Sequence, residues 1–384
     1  MRIALVIEQM DPLAGGREVS TSQIAAGLAR RGHDVTVLCR RAAWSCPDVT
    51  VRAVPACGLT RTGRFRRFAA GVREVIRGGG FDAVHAVTPV AGATCYQPRG
   101  GTYPGSAAAR LRCGGVGAFR QRVFGPLNFH RTALAEMERR LVADPAVTCL
   151  AVSEMVAREF RVYYGRSENL RVVYNGVDVP AVPPSQRQAW RAERRAEIRA
   201  SEGDVVFLSI AKNFALKGVD ETMCHFLRWC DRRGKTAERA RLVVVGKAMM
   251  QVPHRSARVR ETIDRIRMVG WTPDVFSWYS AADACVLLSW YDACSRVVLE
   301  ATRWGLPSIT TSANGAAEVL AGGAGIVVDS PRDEAGILGA MDAMADPARR
   351  EECSRACLLA APRLSMDRHV EELLEVYASR GRGG

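Results

Sequence analysis

Arg2-Ile3-Ala4-Leu5-Val6-Ile7, then the loop Asp11-Pro12-Leu13-Ala14-Gly15-Gly16, an apolar-periodic run over 19–31 and Val35-Thr36-Val37-Leu38-Cys39 together decide the fold. The first and last of these segments are short and apolar, as strands buried on both faces are. Between them Ile24 and Leu28 recur at helical spacing, and Gly32 closes the helix. Strand, glycine loop, helix, strand is the unit of an α/β, doubly wound parallel sheet. The loop stands at the carboxyl end of the first strand, where such sheets bind ligands. Gly15 and Gly16 alone fit turn chemistry as well as a ligand cradle.

Working outward, apolar runs at 49–54, 82–86 and 147–152 extend one α/β domain. Asn175-Gly176-Val177-Asp178-Val179-Pro180, continuing to Pro183-Pro184-Ser185, is turn and proline chemistry and reads as a linker. The alternation restarts with strands at 205–210, 242–245, 284–288 and 308–311. An amphipathic helix at 369–378 and a glycine-rich tail end the chain. The expected division is 1–178, a linker region over 179–199, a second domain over 200–365, and a helix and tail over 366–384. At roughly 150 residues per domain, 384 residues agree with two domains.

With 48% hydrophobic and 24% charged residues, disorder is excluded as a whole-chain description. No apolar stretch approaches the ~18 to 20 residues of a membrane-spanning helix. The N-terminal apolar run is short and meets Glu8 and Asp11 at once, so it reads as a strand and not as a signal peptide. Twelve cysteines lack paired CxxC spacing, which favours a reducing compartment. Neither Cys353 with Cys357 nor Cys224, His225 and Cys230 completes a tetrahedral zinc set, and no Ser-His-Asp array emerges.

A net charge of +14 asks for an anionic partner: nucleic acid, an anionic membrane or a phosphate-rich substrate. Lysine occurs only at 212, 217, 235 and 247, so 54 basic residues minus 4 leaves 50 arginines. Two of four lysines within six positions, Lys212 and Lys217, mark a place where a compact ammonium is used.

The Gly15-Gly16 loop, Arg31-Gly32-His33-Asp34-Val35, Val152-Ser153-Glu154, Asn175-Gly176-Val177-Asp178 and Lys217-Gly218 occur in this order. Gly270-Trp271-Thr272-Pro273-Asp274, Ala281-Ala282-Asp283, and Glu300-Ala301 through Gly305-Leu306-Pro307 follow them. In order and spacing the chain resembles the family 4 glycosyltransferases of GT-B fold over nearly its whole length, most of all the lipopolysaccharide core glucosyltransferases. Tyr291-Asp292-Ala293-Cys294-Ser295-Arg296-Val297-Val298-Leu299-Glu300 stands where that family has two acids separated by seven residues.

The resemblance implies two Rossmann-like domains facing each other across a cleft, with the C-terminal helix crossing back to the first. It implies that Glu300 accepts hydrogen bonds from ribose hydroxyls and that Asp292 holds hydroxyls of the transferred sugar. Amides at Ser295, Arg296 and Val297 would meet the diphosphate, as helix starts do for anions. Lys212 and Lys217 would neutralise the leaving group. Gly15, Gly16, Arg17 and Gly246 count on the donor side, and His85 is an acceptor-side candidate or a structural histidine. Arg296 is open between a surface charge and a phosphate contact. The implied reaction retains anomeric configuration, uses no metal or other cofactor, and closes the domains about the linker. Asp where Glu is usual, and Ser295 for a common glycine, put the donor sugar's identity in question.

Two segments concentrate arginine: 61, 64, 66, 67, 73 and 77 around Phe65 and Phe68, and 110, 112, 120, 122 and 131 around Phe119, Phe124 and Phe129. Arginine interleaved with aromatics suits an anionic membrane face, and no nucleic-acid motif accompanies it. The expectation is a retaining transferase moving a sugar, glucose from UDP-glucose in the first instance, to a lipid-linked or lipopolysaccharide-core saccharide. It would work in the cytoplasm, peripheral at the inner face of the plasma membrane. The alternatives are another donor sugar in exopolysaccharide synthesis, or a catalytically silent membrane-associated sugar-nucleotide scaffold.

Overall fold

The computed structural model describes residues 1–113, 128–247 and 263–380. The chain divides into two units, Met1–Val177 with Leu364–Gly384, and Asp178–Arg363. The segment at 179–199 therefore belongs to the second unit, and from Pro184 it is helical where a linker was expected.

The first unit is built on β1 (Arg2–Val6), β2 (Asp34–Cys39), β3 (Val49–Ala53), β4 (Ala83–Ala86), β5 (Cys95–Tyr96), β6 (Thr148–Ala151) and β7 (Leu170–Val172). They form one parallel sheet in the order β3-β2-β1-β4-β5-β6-β7. Its helices include α1 (Gly16–Arg30), α2 (Arg61–Gly79), α3 (Tyr103–Arg112), α4 (Phe129–Ala143) and α5 (Glu154–Tyr164). The short strands β5 and β7 escape sequence reading because two or three residues carry no period.

The C-terminal helix Met366–Arg380 belongs to this first unit, as the resemblance implied. Met366, Val370, Leu373 and Tyr377 join Ile3, Leu5, Val35, Val37 and Leu28 in one apolar core. Gly176 lets the chain pass tightly beside this helix, since a Cβ there would lie 2.6 Å from the Ser365 carbonyl oxygen.

The second unit has β8 (Val205–Ile210), β9 (Ala240–Val245), β10 (Ile266–Gly270), β11 (Ala284–Leu287), β12 (Ser308–Thr311) and β13 (Gly325–Val328). Their order, β10-β9-β8-β11-β12-β13, is again wholly parallel and reverses direction between β8 and β11. Alternate residues of β8 enter opposite cores. Val205 and Phe207 pack with Phe226, Trp229 and Met341, whereas Val206 and Leu208 pack with Trp278, Tyr279 and Trp304. That alternation within a continuous apolar run is what a sheet covered on both faces requires. The helices used below are α6 (Pro184–Glu197), α7 (Val219–Arg233), α8 (Val275–Ala281) and α9 (Arg296–Trp304). Arg191 and Arg195 fasten α6 to the unit through Asp283, at 3.1 and 2.6 Å. No described helix is long and apolar enough to cross a membrane.

Glu138 of α4 is fully buried and ties four elements of the first unit. It accepts from the Tyr96 hydroxyl at 2.7 Å, the Tyr103 amide at 2.8 Å and the Tyr164 hydroxyl. Burial raises its pKa to about 7, against the lowering effect of these hydrogen bonds. A raised carboxyl pKa contributes stability that is present at acid pH and lost as pH rises through about 7. Relative to Glu138→Gln, the wild-type melting temperature should therefore rise by a few degrees between pH 8 and pH 5. Parallel thermal melts check this.

Candidate functional site

At the reversal point of the second sheet, where open parallel sheets bind ligands, β8 leads into the turn Phe214–Lys217. The turn is capped by Asn213, whose side chain accepts from the Leu216 amide at 3.2 Å. Gly218 ends the turn at φ +62° and opens α7. A Cβ at Gly218 would lie 1.8 Å from the Leu288 carbonyl oxygen, so only glycine lets this turn approach the end of β11. The Trp290 amide donates to the Leu216 carbonyl at 3.0 Å and completes the junction. Lys217 Nζ then meets Asp292 Oδ2 in an ion pair with both side chains largely covered. Lys212 stands in the same β8 loop and is exposed.

Eight residues beyond Asp292, Glu300 lies on α9. Its carboxylate accepts from Arg296 at 3.0 Å and from the buried Tyr279 hydroxyl of α8 at 3.2 Å. Burial raises the Glu300 pKa, and Arg296 and the Tyr279 hydroxyl oppose the rise. Arg296 is thus no simple surface charge: its side chain is 12% exposed and pairs one helical turn along.

The start of α9 carries no side-chain cap. Of the amides expected to face an anion, that of Ser295 turns instead to Asn314 Oδ1, at 3.2 Å. This is a correction to the expected set. Gly246 sits at φ +150° at the end of β9, donates its amide to the Gly270 carbonyl at 2.8 Å, and would place a Cβ 1.9 Å from the Ala211 carbonyl oxygen. It holds the carboxyl ends of three strands together.

The first-unit candidates are placed differently. Gly15 precedes α1 with extended backbone, Gly16 opens the helix, and Arg17 pairs with the buried Glu18 at 2.7 Å. His85 is fully buried in β4 and shares a 2.5 Å hydrogen bond with Tyr377 of the C-terminal helix. Burial, aided by the Arg99 charge, drives its pKa down to about 3. A neutral imidazole inside the core does not touch an acceptor, so its structural alternative holds. Phe65 and Phe68 are also fully buried, so they serve the core and not a membrane face. Phe129 is 69% exposed, and Arg120, Arg122, Phe119 and Phe124 lie outside the described residues. Among the described residues no group of His, Cys, Asp and Glu could hold a metal ion.

Sequence reading missed two residues. Asn314, 1% exposed, announces itself only as the Asn-Gly pair after β12, an ordinary turn signal. Tyr279 carries no local signal, since its hydroxyl finds Glu300 only once α8 packs against α9.

The sequence profile of Glycosyltransferase Family 4 matches residues 14–180, and that of Glycosyl transferases group 1 matches 204–346. The chain is a family 4 glycosyltransferase. Curated relatives include a D-inositol 3-phosphate glycosyltransferase of Xylanimonas cellulosilytica, 26% identical over 98% of this chain and 96% of that protein. The Vi polysaccharide biosynthesis protein VipC/TviE of Salmonella typhi is 25% identical over 55% of this chain and 35% of its own length. Among solved structures, WaaG, a glycosyltransferase involved in lipopolysaccharide biosynthesis, superposes with a TM-score of 0.78 at 20% identity, covering both chains fully. Anabaena HepE, solved with UDP and glucose, gives 0.67 at 17% identity over 99% of this chain and all of that one. These likenesses establish the two-domain GT-B fold.

The glycine contact yields a direct test. Gly218→Ala strains a left-handed residue and drives a methyl into a carbonyl, which should cost at least about 2 kcal/mol. Denaturant unfolding should show that loss, while Gly234→Ala, also at positive φ but with nothing within 4 Å, should cost less.

Proposed function

We propose that this glycosyltransferase moves a sugar, glucose from UDP-glucose in the first instance, from a nucleotide diphosphate donor to a saccharide or lipid-linked acceptor. The observation that carries this reading is the Lys217–Asp292 pair at the strand-order reversal, followed by the uncapped start of α9 and by Glu300 on that same helix. A diphosphate fits the helix start and Lys217, which stabilise charge developing on the leaving group. Ribose hydroxyls fit Glu300, and Asp292 offers an acceptor for hydroxyls of the sugar. Transfer proceeds with retention, the departing phosphate taking the acceptor's proton on the same face. The residues assign no protein base or covalent nucleophile to this step.

The acceptor reading is supported by the first unit. Arg66, Arg73 and Arg77 are exposed along α2. Arg66, Arg73 and Arg140 border a groove of about 680 Å³ between α2 and α4 that also holds Phe129 and Met137. Cations beside apolar lining suit an acceptor presented on an anionic bilayer surface, which supports reading the enzyme as peripheral at the cytoplasmic membrane face. The relatives' names span Vi polysaccharide biosynthesis and D-inositol 3-phosphate glycosyl transfer, so the acceptor is read from these arginines and not from likeness.

Thermal unfolding against a panel of nucleotide sugars tests the donor. A ligand at about 100 times its Kd adds about 2.7 kcal/mol, a shift of a few degrees. UDP-glucose should stabilise the wild type and not Glu300→Ala, and the same variant should lose transfer by orders of magnitude. Because burial raises the Glu300 pKa, donor affinity should fall with decreasing pH before ordinary carboxylates protonate. Stabilisation by a donor without transfer to any acceptor would leave the scaffold reading, and a wild type unmoved by every donor would overturn the donor reading.

A further inference from the structure

We propose that Asn314 is a positioning residue of the donor site, an uncharged acceptor that locks the Asp292 loop to the first turn of α9 without adding negative charge beside the diphosphate. This rests on the donor reading above. The hydrogen-bond pattern fixes how the amide points. Thr310 Oγ1 donates to the Leu287 carbonyl at 2.8 Å, so its oxygen needs a donor on its other side, and Asn314 Nδ2 supplies one at 2.9 Å. Asn314 Oδ1 therefore faces the other way and accepts from the amides of Ser295, at 3.2 Å, and Ala316, at 3.0 Å. The backbone around it grips Asp292 on both sides. The Asp292 amide donates to the Ala313 carbonyl at 3.0 Å, and the Gly315 amide donates to the Asp292 carbonyl at 2.8 Å. One buried side chain and its flanking peptides thus set the sugar-side carboxylate and the helix start together.

Aspartate would accept the two amides equally well, and this unit uses it freely elsewhere. Asp274, Asp333 and Asp346 each accept a first-turn amide at a helix start. The two caps flanking the Lys217–Asp292 pair, at 213 and 314, are asparagine. A carboxylate at 314 would place a second negative charge behind the helix start that receives the phosphates, and would pull the Thr310 hydroxyl away from Leu287. An amide does neither.

The test measures binding of UDP, ADP and GDP by calorimetry, with donor kinetics, for the wild type, Glu300→Ala, Asn314→Asp and Thr310→Val. Asn314→Asp should weaken nucleoside diphosphate binding by about tenfold or more, raising KM for the donor far more than it lowers kcat. Thr310→Val removes the hydroxyl that orients the amide, adds no charge, and should weaken binding by about threefold to tenfold. It carries the test if Asn314→Asp fails to fold. Either folded variant binding the diphosphate as the wild type does would overturn the proposal, even if its melting temperature falls. A wild type that binds none of the three nucleotides overturns the donor reading itself, and the assignment of Asn314 with it.

Discussion

The second unit depends on one close approach, the backbone of Gly218 against the Leu288 carbonyl with no room for a Cβ between them. Strands β8 and β11 are neighbours in the sheet but their paired residues, such as Phe207 and Ala284, lie 77 positions apart in sequence, and their exits diverge toward helices on their own paths. Unless the two exits touch, Lys217 and Asp292 cannot pair across the reversal point. Glycine in the left-handed conformation makes the touch possible, and the Trp290-to-Leu216 backbone bond fastens it. The first unit meets a similar constraint at Gly176, where the outgoing chain passes the returning C-terminal helix. In both places a missing side chain is what allows distant segments to be held in register.

These constraints explain which parts were legible in the sequence. The strands at 205–210 and 308–311 could be read to the residue because a parallel sheet covered on both faces needs uninterrupted apolar runs. The spacing of Asp292 and Glu300 was legible as well, since loop and helix after one strand keep their separation in sequence, whereas the turn of the Ser295 amide to Asn314 was not. Asn314 and Tyr279 were not, because their importance is a property of the packed unit: each serves a partner at least nineteen residues away. His85 could not be decided from sequence. A histidine on a strand reads equally as chemistry or as structure, and only the fold shows that Tyr377, nearly three hundred residues later, closes over it.

The basic charge separates along similar lines. Composition gave the same weight to every arginine around Phe65 and Phe68, but the helical period divides them. The phenylalanines point into the core, while Arg66, Arg73 and Arg77 remain outside. In the second unit arginine works differently: Arg191 and Arg195 reach the largely buried Asp283 and bind α6 to the sheet. Part of the basic charge is therefore structural, and Arg66 and Arg73 of α2 stay exposed at the surface.

At the candidate donor site Lys217 and Arg296 each face a carboxylate of this chain, Asp292 and Glu300 respectively. The four side chains sum to zero charge, so on the proposed donor reading attraction for a diphosphate comes from the helix start and from exchange of partners. A ribose that donates its hydroxyls to Glu300 replaces what Arg296 supplies there, and frees the guanidinium to turn one helical turn back toward phosphate. Sugar hydroxyls on Asp292 do the same for Lys217. Each exchange substitutes hydrogen bonds from the ligand for an internal ion pair, so little desolvation cost is left unmatched. A ligand lacking either the ribose or the sugar could make only one exchange. On the proposed donor reading, a preference for a whole nucleotide sugar over free diphosphate follows from the ion pairs themselves, and the uncharged amide of Asn314 adds no further carboxylate beside them.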